Sequence, residues 1–186
     1  MKRGTFVTID GLSASGKSTI APIVAQLIGA AHITDDLSTF PQMRREVDDA
    51  RNVAARYHWW MMANHLKSEA ARAAVETGRS AVLESYFART IATHQAMGHD
   101  SESAYPKGVL LPDVAVLLVV DEKTRRSRLL QRQESGGFGY WYQREEPNVA
   151  VTVATYERFG LTVVDATGLA PHEAAAEIAG IVHSVT

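Results

Sequence analysis

Residues 11–19 read Gly11-Leu12-Ser13-Ala14-Ser15-Gly16-Lys17-Ser18-Thr19 and match the pattern G-x-x-x-x-G-K-[ST] at every fixed position. The apolar, β-branched run before this stretch, Thr5–Asp10, is typical of a strand, and Thr19–Ile28 after it has the periodicity of a helix. Glycines let the backbone approach an anion closely, and the N-terminus of the following helix adds its positive end. The stretch therefore predicts a loop that wraps the phosphates of a nucleotide.

The side chains of this loop have separate expected roles. Lys17 is expected to bridge the β- and γ-phosphates, and the Ser18 hydroxyl is expected to bind Mg²⁺. The other loop residues present backbone amides, so the predicted nucleotide-binding set is Gly11, Ser13, Ala14, Ser15, Gly16, Lys17, Ser18 and Thr19. The sequence thus predicts ATP and Mg²⁺ as cofactors, and a glycine turn that arose by chance is the competing interpretation.

The composition of the chain limits the class of protein. With 186 residues, 46% of them hydrophobic, the chain is long enough for one domain, residues 1–186, with a full-sized core. It has no cysteine, which excludes disulfides and thiolate metal sites and agrees with a cytoplasmic location. Its net charge of −2 and the lack of a long apolar run predict neither a nucleic-acid polymer nor a membrane as partner.

Predicted strands and helices alternate along the whole chain. The strands are expected at 5–10, 31–34, 80–84, 114–120 and 161–164, and the helices at 19–28, 41–50, 51–76, 86–97, 122–132, 149–159 and 171–185. This alternation predicts an α/β fold, a five-stranded parallel sheet with helices on both faces. The aliphatic run 114–120 is expected to be buried on both faces, and residues from about 133 to 146 are expected to form a loop or lid.

Acidic residues at the ends of the first three predicted strands are candidates for the site. Asp10 and Glu84 end the first and third strands, and the carboxyl ends of parallel strands meet at one edge of a sheet. Both are therefore candidate Mg²⁺ ligands, and Glu84 is also a candidate catalytic residue; helix capping is the alternative for each. Asp35 and Asp36 follow the second strand and are candidates for the general base that accepts a hydroxyl proton, with a turn or cap as the alternative.

Arg128 and Arg132 lie four positions apart on one predicted helix and can therefore reach the same side. Arginines that close over a bound nucleoside triphosphate would neutralise charge in the transition state of phosphoryl transfer. A solvated basic helix face is the alternative, because Arg125 and Arg126 lie beside them. Both Arg128 and Arg132 are therefore candidate catalytic residues.

Aromatic residues are concentrated in two segments of the chain. Trp60 and Asn64 share a helix face and could form a stacking wall and an amide reader for a planar base, whereas core packing is the alternative. The lid segment contains Phe138, Tyr140, Trp141 and Tyr142, too many aromatic side chains for a purely solvated loop. They are expected either to fold over an acceptor or to pack against a partner chain.

Taken in order, these features resemble the thymidylate kinase family of P-loop nucleoside and nucleotide kinases. The first strand with its loop, the run from Pro112 to Asp121, the paired arginines and Tyr156 are similar to the family in position. The resemblance covers the whole chain and implies a single-domain P-loop kinase fold with a lid. It also implies that Tyr86 and Gln95 contact substrate, and that the chain forms a homodimer, as is common in the family.

The chain also departs from that family. Where the family has Asp-Arg-Tyr after the third strand, this chain has Glu84-Ser85-Tyr86, so the arginine is missing. Where the family has Arg-Glu-Pro after the second strand, the chain has Thr34-Asp35-Asp36, which is more similar to the deoxynucleoside kinases. Trp60 and Asn64 take the place of an aromatic and an arginine that contact thymine. These departures predict an altered acceptor site.

Together these observations predict ATP-dependent phosphoryl transfer to a nucleoside monophosphate or a nucleoside. A kinase for the hydroxyl of a non-nucleotide metabolite is one alternative. A regulatory module that binds a nucleoside triphosphate without phosphorylating a metabolite is the other. The identity of the acceptor distinguishes the two kinases from each other. Phosphorylation of any acceptor distinguishes both kinases from the regulatory module.

Overall fold

A computed structural model of the chain describes residues 2–34, 41–134 and 139–185. Within these ranges, a five-stranded sheet has the order β2-β3-β1-β4-β5, and all neighbouring strands are parallel. The strands are β1 (Phe6–Asp10), β2 (Ala31–Ile33), β3 (Ala81–Glu84), β4 (Val114–Val119) and β5 (Thr162–Asp165). Because β1 is central, the phosphate loop that follows it lies at a strand end flanked by other strand ends.

Helices cover both faces of the sheet. They are α1 (Lys17–Leu27), α2 (Pro41–Asp49), α3 (Val53–Glu76), α4 (Phe87–Ala96), α5 (Glu122–Glu134), α6 (Tyr140–Glu145), α7 (Val149–Arg158) and α8 (Pro171–Ser184). On one face, Val7 and Ile9 of β1 pack with α1 and α8. On the other face, Phe6 packs with α3 and with residues at the start of α4. This arrangement confirms the predicted α/β fold with helices on both faces of a parallel sheet.

The register of the sheet sets the positions of the two acidic strand ends. Ile9 of β1 pairs with Glu84 of β3, and Asp10 of β1 pairs with Leu117 of β4. Glu84 and Asp10 therefore lie at the same edge of the sheet, beside the loop that begins at Gly11. The expected convergence of these strand ends is confirmed.

Two sequence predictions differ from the structure in detail. β4 is fully buried on one face only: Ala115 and Leu117, on the other face, pack against a small cluster around Tyr156 and stay half-buried. The described part of the predicted lid is helical: α6 is followed by a 3₁₀ turn at Glu146–Asn148. A helix fits there because residues 140–145 contain no glycine or proline. In the described ranges, no helix is both long and apolar enough to cross a membrane.

Candidate active site

The phosphate loop has the backbone conformation that its glycines predict. Gly11 has φ +154°, and a Cβ there would lie 2.4 Å from the Leu118 carbonyl oxygen, so a side chain does not fit. Lys17 Nζ donates to the carbonyl oxygens of Gly11 at 2.9 Å and Leu12 at 2.8 Å. Burial lowers the pKa of Lys17 to about 8. The ammonium group is thus held inside the loop, where a polyphosphate would meet it.

Two predicted metal ligands meet beside this loop. The Ser18 hydroxyl donates to Glu84 Oε1 at 2.6 Å. A hydroxyl and a carboxylate are the hard oxygen donors that Mg²⁺ prefers, with phosphate oxygens and water completing the six ligands. No group of three or more histidine or acidic residues that could hold a metal occurs among the described residues. The donor set therefore fits a metal ion shared with a nucleotide.

Asp10 has a different position from Glu84. Its carboxylate is buried, and Oδ1 accepts the backbone N–H groups of Tyr86 at 3.1 Å and Arg89 at 3.2 Å, where α4 begins. Burial raises the pKa of Asp10. Oδ1 of Asp10 therefore caps the N-terminus of α4, as the helix-capping alternative proposed. These hydrogen bonds connect the start of α4 to the end of β1.

The paired arginines of α5 lie at the phosphate loop. Arg128 Nη1 donates to the carbonyl oxygens of Ser15 at 3.1 Å and Ala14 at 3.3 Å. Arg132 lines the same cavity, which has a volume of about 400 Å³ and includes residues of the loop, α5 and the segment before α8. Arg126, by contrast, is exposed and pairs with Glu122 on its own helix. The structure therefore brings Arg128 and Arg132 to one side of the loop.

A second cavity, of about 180 Å³, lies between α3 and α4. Its lining residues are Arg56, Trp60, Asn64, Lys67, Ser85, Arg89, Thr90, Thr93 and His94. Trp60 and Asn64 thus share one cavity, as their spacing predicted. Asn64 Nδ2 donates to Thr90 Oγ1 at 2.9 Å, whereas the buried Oδ1 has no partner among the described residues. An acceptor atom is therefore available in this wall.

Arg56 is one of the cations lining this cavity that the sequence analysis missed. Its Nε donates to Asp48 at 3.0 Å, and Nη1 lies 3.2 Å from His94 Nε2. The His94 Nδ1 atom lies 2.6 Å from the Thr90 carbonyl oxygen, so the N–H is at Nδ1 and Nε2 accepts. Burial and the nearby Arg56 lower the pKa of His94 to about 3, and the ring is neutral. The spacing of Arg56 and Trp60, four residues apart, could have indicated their common face.

Arg89 is a second residue that the sequence analysis missed. Its Nη1 and Nη2 atoms contact the Glu145 carboxylate at 2.5 and 2.9 Å, and Nη2 also lies 3.2 Å from Ser13 Oγ. Burial opposes ionisation of Glu145, but Arg89 outweighs it and lowers the pKa of that carboxyl. This ion pair joins α4, α6 and the phosphate loop. Nothing in the sequence around Arg89 indicated a partner so far along the chain.

The described aromatic residues of α6 lie on the side of α3. The Arg51 guanidinium lies 4.8 Å from the Tyr140 ring centroid, and the Arg56 guanidinium lies 4.8 Å from the Trp141 ring centroid. Because Arg56 lines the cavity between α3 and α4, Trp141 lies next to that cavity, and both alternatives for these aromatic residues stay predictions. Phe138 lies outside the described residues.

Two predicted substrate contacts do not line this cavity. Tyr86 is buried in the core, where its hydroxyl donates to the Leu110 carbonyl oxygen at 3.0 Å. The Gln95 amide donates to Ser101 and accepts from Thr155, both at 2.6 Å. Both positions were assigned from the resemblance alone, and here their side chains are engaged by the core and by the segment after α4. Asp35 and Asp36, the candidate general bases, lie outside the described residues.

Comparisons with known proteins agree with this architecture. The sequence pattern of a family described as an AAA domain matches residues 7–159. The thymidylate kinase of Candida albicans has a TM-score of 0.74 at 18% identity, over 98% of this chain and 92% of that chain. Deoxyadenosine kinase from M. mycoides, with bound dCTP, has a TM-score of 0.66 at 18% identity, over 97% of this chain and 100% of that chain. No curated protein sequence matches the chain. The predicted P-loop kinase fold is thus confirmed.

Proposed function

The chain belongs to the AAA domain family, and on that premise we propose that it is an ATP- and Mg²⁺-dependent kinase for a small acceptor. The observation that carries the proposal is the contact between Ser18 and Glu84. Thr19, next to Ser18, lines the cavity under α5, and Ser85, next to Glu84, lines the cavity between α3 and α4. A metal-binding pair therefore joins a donor cavity to an acceptor cavity.

The donor side of the reaction uses residues of the loop and α5. Lys17 would donate to phosphate oxygens, the loop amides would orient the polyphosphate, and Arg128 and Arg132 would lie over the donor. Ser18 and Glu84 would hold Mg²⁺, which would supply positive charge to neutralise the phosphates of the nucleotide. The separation of the two cavities by the loop keeps the donor and acceptor in fixed relative positions, which supplies much of the rate in this chemistry.

The acceptor we propose first is a nucleoside monophosphate or a nucleoside. The Trp60 ring and the Asn64 amide line one cavity and suit a planar base, whose N–H group would reach Oδ1 of Asn64, an atom without a partner in the described part of the chain. For a hydroxyl acceptor, Asp35 or Asp36 remains the proposed general base. Tyr86 and Gln95 do not line this cavity, and their expected contact with substrate stays a prediction.

The size of the acceptor cavity favours a second candidate, the hydroxyl group of a compact non-nucleotide metabolite. A volume of about 180 Å³ is below the roughly 300–1,000 Å³ of pockets for drug-sized ligands. The cavity also contains the cationic groups Arg56 and Arg89, which would orient a polar or anionic acceptor. Small alcohols therefore belong in any screen beside nucleosides and their monophosphates.

The test is ADP release from Mg·ATP in the presence of single acceptors from these three classes. We expect one class to stimulate release, and we expect Lys17→Ala to abolish the stimulation while the circular dichroism spectrum stays unchanged. Binding of Mg·ATP by calorimetry without any acceptor-dependent release would favour the regulatory alternative. Folded protein that binds no Mg·ATP would refute the proposal.

A further inference from the structure

We propose that Arg89 contacts the γ-phosphoryl group during transfer. It would supply there a positive charge that the uncharged side chain of Ser85 cannot supply. This inference rests on the proposed kinase function. Ser85 stands where the thymidylate kinase pattern has an arginine. Arg89 lies four residues, about one helical turn, further along, and its guanidinium points back to the loop.

Arg89 lies between the proposed binding sites of the phosphate donor and the acceptor. Its Nη2 lies 3.2 Å from Ser13 Oγ, in the middle of the phosphate loop. Its side chain also lines the cavity between α3 and α4 together with Ser85 and Thr93. The path of a phosphoryl group from the loop to that cavity therefore passes this guanidinium.

Arg89 is held in place before any substrate binds. Its backbone N–H donates to Asp10 at 3.2 Å, and its guanidinium forms a two-pronged ion pair with Glu145. Side-chain exposure is only 16% for Arg89 and 8% for Glu145. A fixed, desolvated cation needs little reorganisation when charge develops beside it, which is the usual requirement for electrostatic catalysis.

Two buried cations converge at this point. Arg89 is close enough to Lys17 to contribute to the lowering of the pKa of that ammonium group, after the larger effect of burial. Glu145 neutralises one positive charge of the pair. The carboxylates of Glu84, Asp10 and Glu145 act on Lys17 in the opposite direction, so both cations lie within electrostatic range of one another beside the phosphate loop.

In the transfer step, an acceptor oxygen forms a bond to the γ-phosphorus, and the bond from that phosphorus to the β–γ bridging oxygen breaks. The bonding electron pair leaves with ADP, and a hydroxyl acceptor gives its proton to a carboxylate base, whereas a phosphate acceptor has no proton to give at the attacking oxygen. Negative charge is spread over the equatorial γ-oxygens in this transition state. A guanidinium has five N–H donors; Arg89 directs three to Glu145 and Ser13 and also interacts with the Tyr156 hydroxyl, which leaves at least one N–H group for these oxygens.

The kinetic test compares Arg89→Ala, Arg89→Lys and the matched control Arg126→Ala, which removes an exposed arginine from a surface ion pair. With the acceptor found by ADP release, we expect Arg89→Ala to lower kcat about 10³-fold, to raise the KM for ATP about tenfold or more, and to change the KM for the acceptor less than about fivefold. Arg89→Lys should recover only part of the rate, because an ammonium cannot replace a two-pronged donor. Arg126→Ala should stay within about twofold of the parent. Unchanged kcat in Arg89→Ala would overturn the inference.

A binding test decides the matter without turnover. Calorimetry would measure Mg·ADP and the non-hydrolysable β,γ-imido analogue of Mg·ATP. We expect Arg89→Ala to weaken the analogue at least tenfold and ADP less than twofold, because only the analogue has a γ-phosphate. Equal weakening of both, or of neither, would overturn the inference. If the parent protein binds the analogue through Arg89 but phosphorylates nothing, the proposed function fails and the contact stands.

Arg89→Ala leaves Glu145 buried without its partner and could unfold the chain for that reason. The double variant Arg89→Met with Glu145→Gln leaves no unpaired buried charge and serves as the second variant. We expect it to show the same loss of kcat and of affinity for the analogue at a melting temperature near that of the parent. Full activity in this double variant would also overturn the inference.

Discussion

The Ser18 hydroxyl lies 2.6 Å from Glu84 Oε1, although 66 positions separate the two residues in the chain. The sheet accounts for this contact, because β1 leads into the phosphate loop and pairs in parallel with β3, which ends at Glu84. The two oxygens are therefore positioned by backbone pairing in the core rather than by a flexible loop. A site built on rigid elements holds a metal ion with a defined geometry.

Replacing Glu84 with glutamine tests this metal pair. We expect Glu84→Gln to raise the Mg²⁺ concentration for half-maximal activity at least tenfold and to lower kcat/KM about 10²-fold, because a neutral amide is a weaker Mg²⁺ ligand. The measurement is ADP release during a Mg²⁺ titration at fixed ATP. Glu69→Gln, in an exposed ion pair with Arg72, is the control and should leave the titration unchanged. An unchanged midpoint in Glu84→Gln would remove Glu84 from the metal site.

The Lys17 ammonium predicts a pH dependence of nucleotide binding. Its pKa is lowered to about 8, so the empty site loses the positive charge as the pH rises above 8. A bound polyphosphate favours the protonated form, so affinity for Mg·ATP should be constant below about pH 7.5 and fall up to tenfold per pH unit above 8. Calorimetry from pH 7 to 9.5 measures the affinity and the proton uptake. Proton uptake that persists in Lys17→Ala would assign the titration to another group.

Much of the donor site could be predicted from the sequence because its residues follow one another closely. The pattern around Gly16 and Lys17 specifies a local loop, and parallel strand ends meet at one edge whatever the loops between them are. The pairing of Ser18 with Glu84 follows from those two facts. The common cavity of Trp60 and Asn64 follows from their four-residue spacing on α3.

The acceptor side could be predicted only in part, because its contacts depend on how helices pack. Arg89 meets Glu145 across 56 positions, and no local pattern indicates that α6 lies against α4. Tyr86 and Gln95 were assigned by position in a related pattern, and a pattern does not record side-chain direction. Each is drawn into a hydrogen bond elsewhere: Tyr86 to Leu110, and Gln95 to Ser101.

Asn64 provides a test of acceptor recognition. Its buried Oδ1 has no partner among the described residues, which costs roughly 1–3 kcal/mol in the absence of a ligand donor. We expect Asn64→Leu, of similar volume, to raise the KM of the acceptor about tenfold or more while the melting temperature is unchanged or higher. In this variant the Thr90 hydroxyl loses Asn64 as a partner, but it can donate to the backbone carbonyl oxygen one helical turn earlier.

The measurement for Asn64→Leu is steady-state kinetics with the identified acceptor and thermal unfolding in parallel. Met62→Leu, at an exposed position on the same helix, is the control and should change neither quantity. A stable Asn64→Leu variant with an unchanged KM and unchanged preference among acceptors would show that this amide does not contact the acceptor.

His94 predicts how the stability of the chain depends on pH. Burial first, and then Arg56, lower its pKa to about 3, whereas the unfolded chain binds a proton near the ordinary value of 6.5. The stability associated with neutral His94 is therefore complete above pH 6.5 and is lost as the pH falls towards 3, by at most about 1.4 kcal/mol per pH unit. Urea unfolding at pH 7, 6 and 5 measures this slope.

His94→Gln keeps a side chain that can accept from Arg56 but cannot titrate. We expect the variant to be less stable than the parent at pH 7, because the contact of His94 with Thr90 is altered, and to lose less stability between pH 7 and 5. The difference between the two proteins should therefore narrow by about 1–2 kcal/mol on acidification. For His172→Gln, at an exposed position on α8, the free energy of unfolding should depend on pH as it does in the parent. Parallel curves for His94→Gln as well would mean that His94 does not stay neutral in the folded chain.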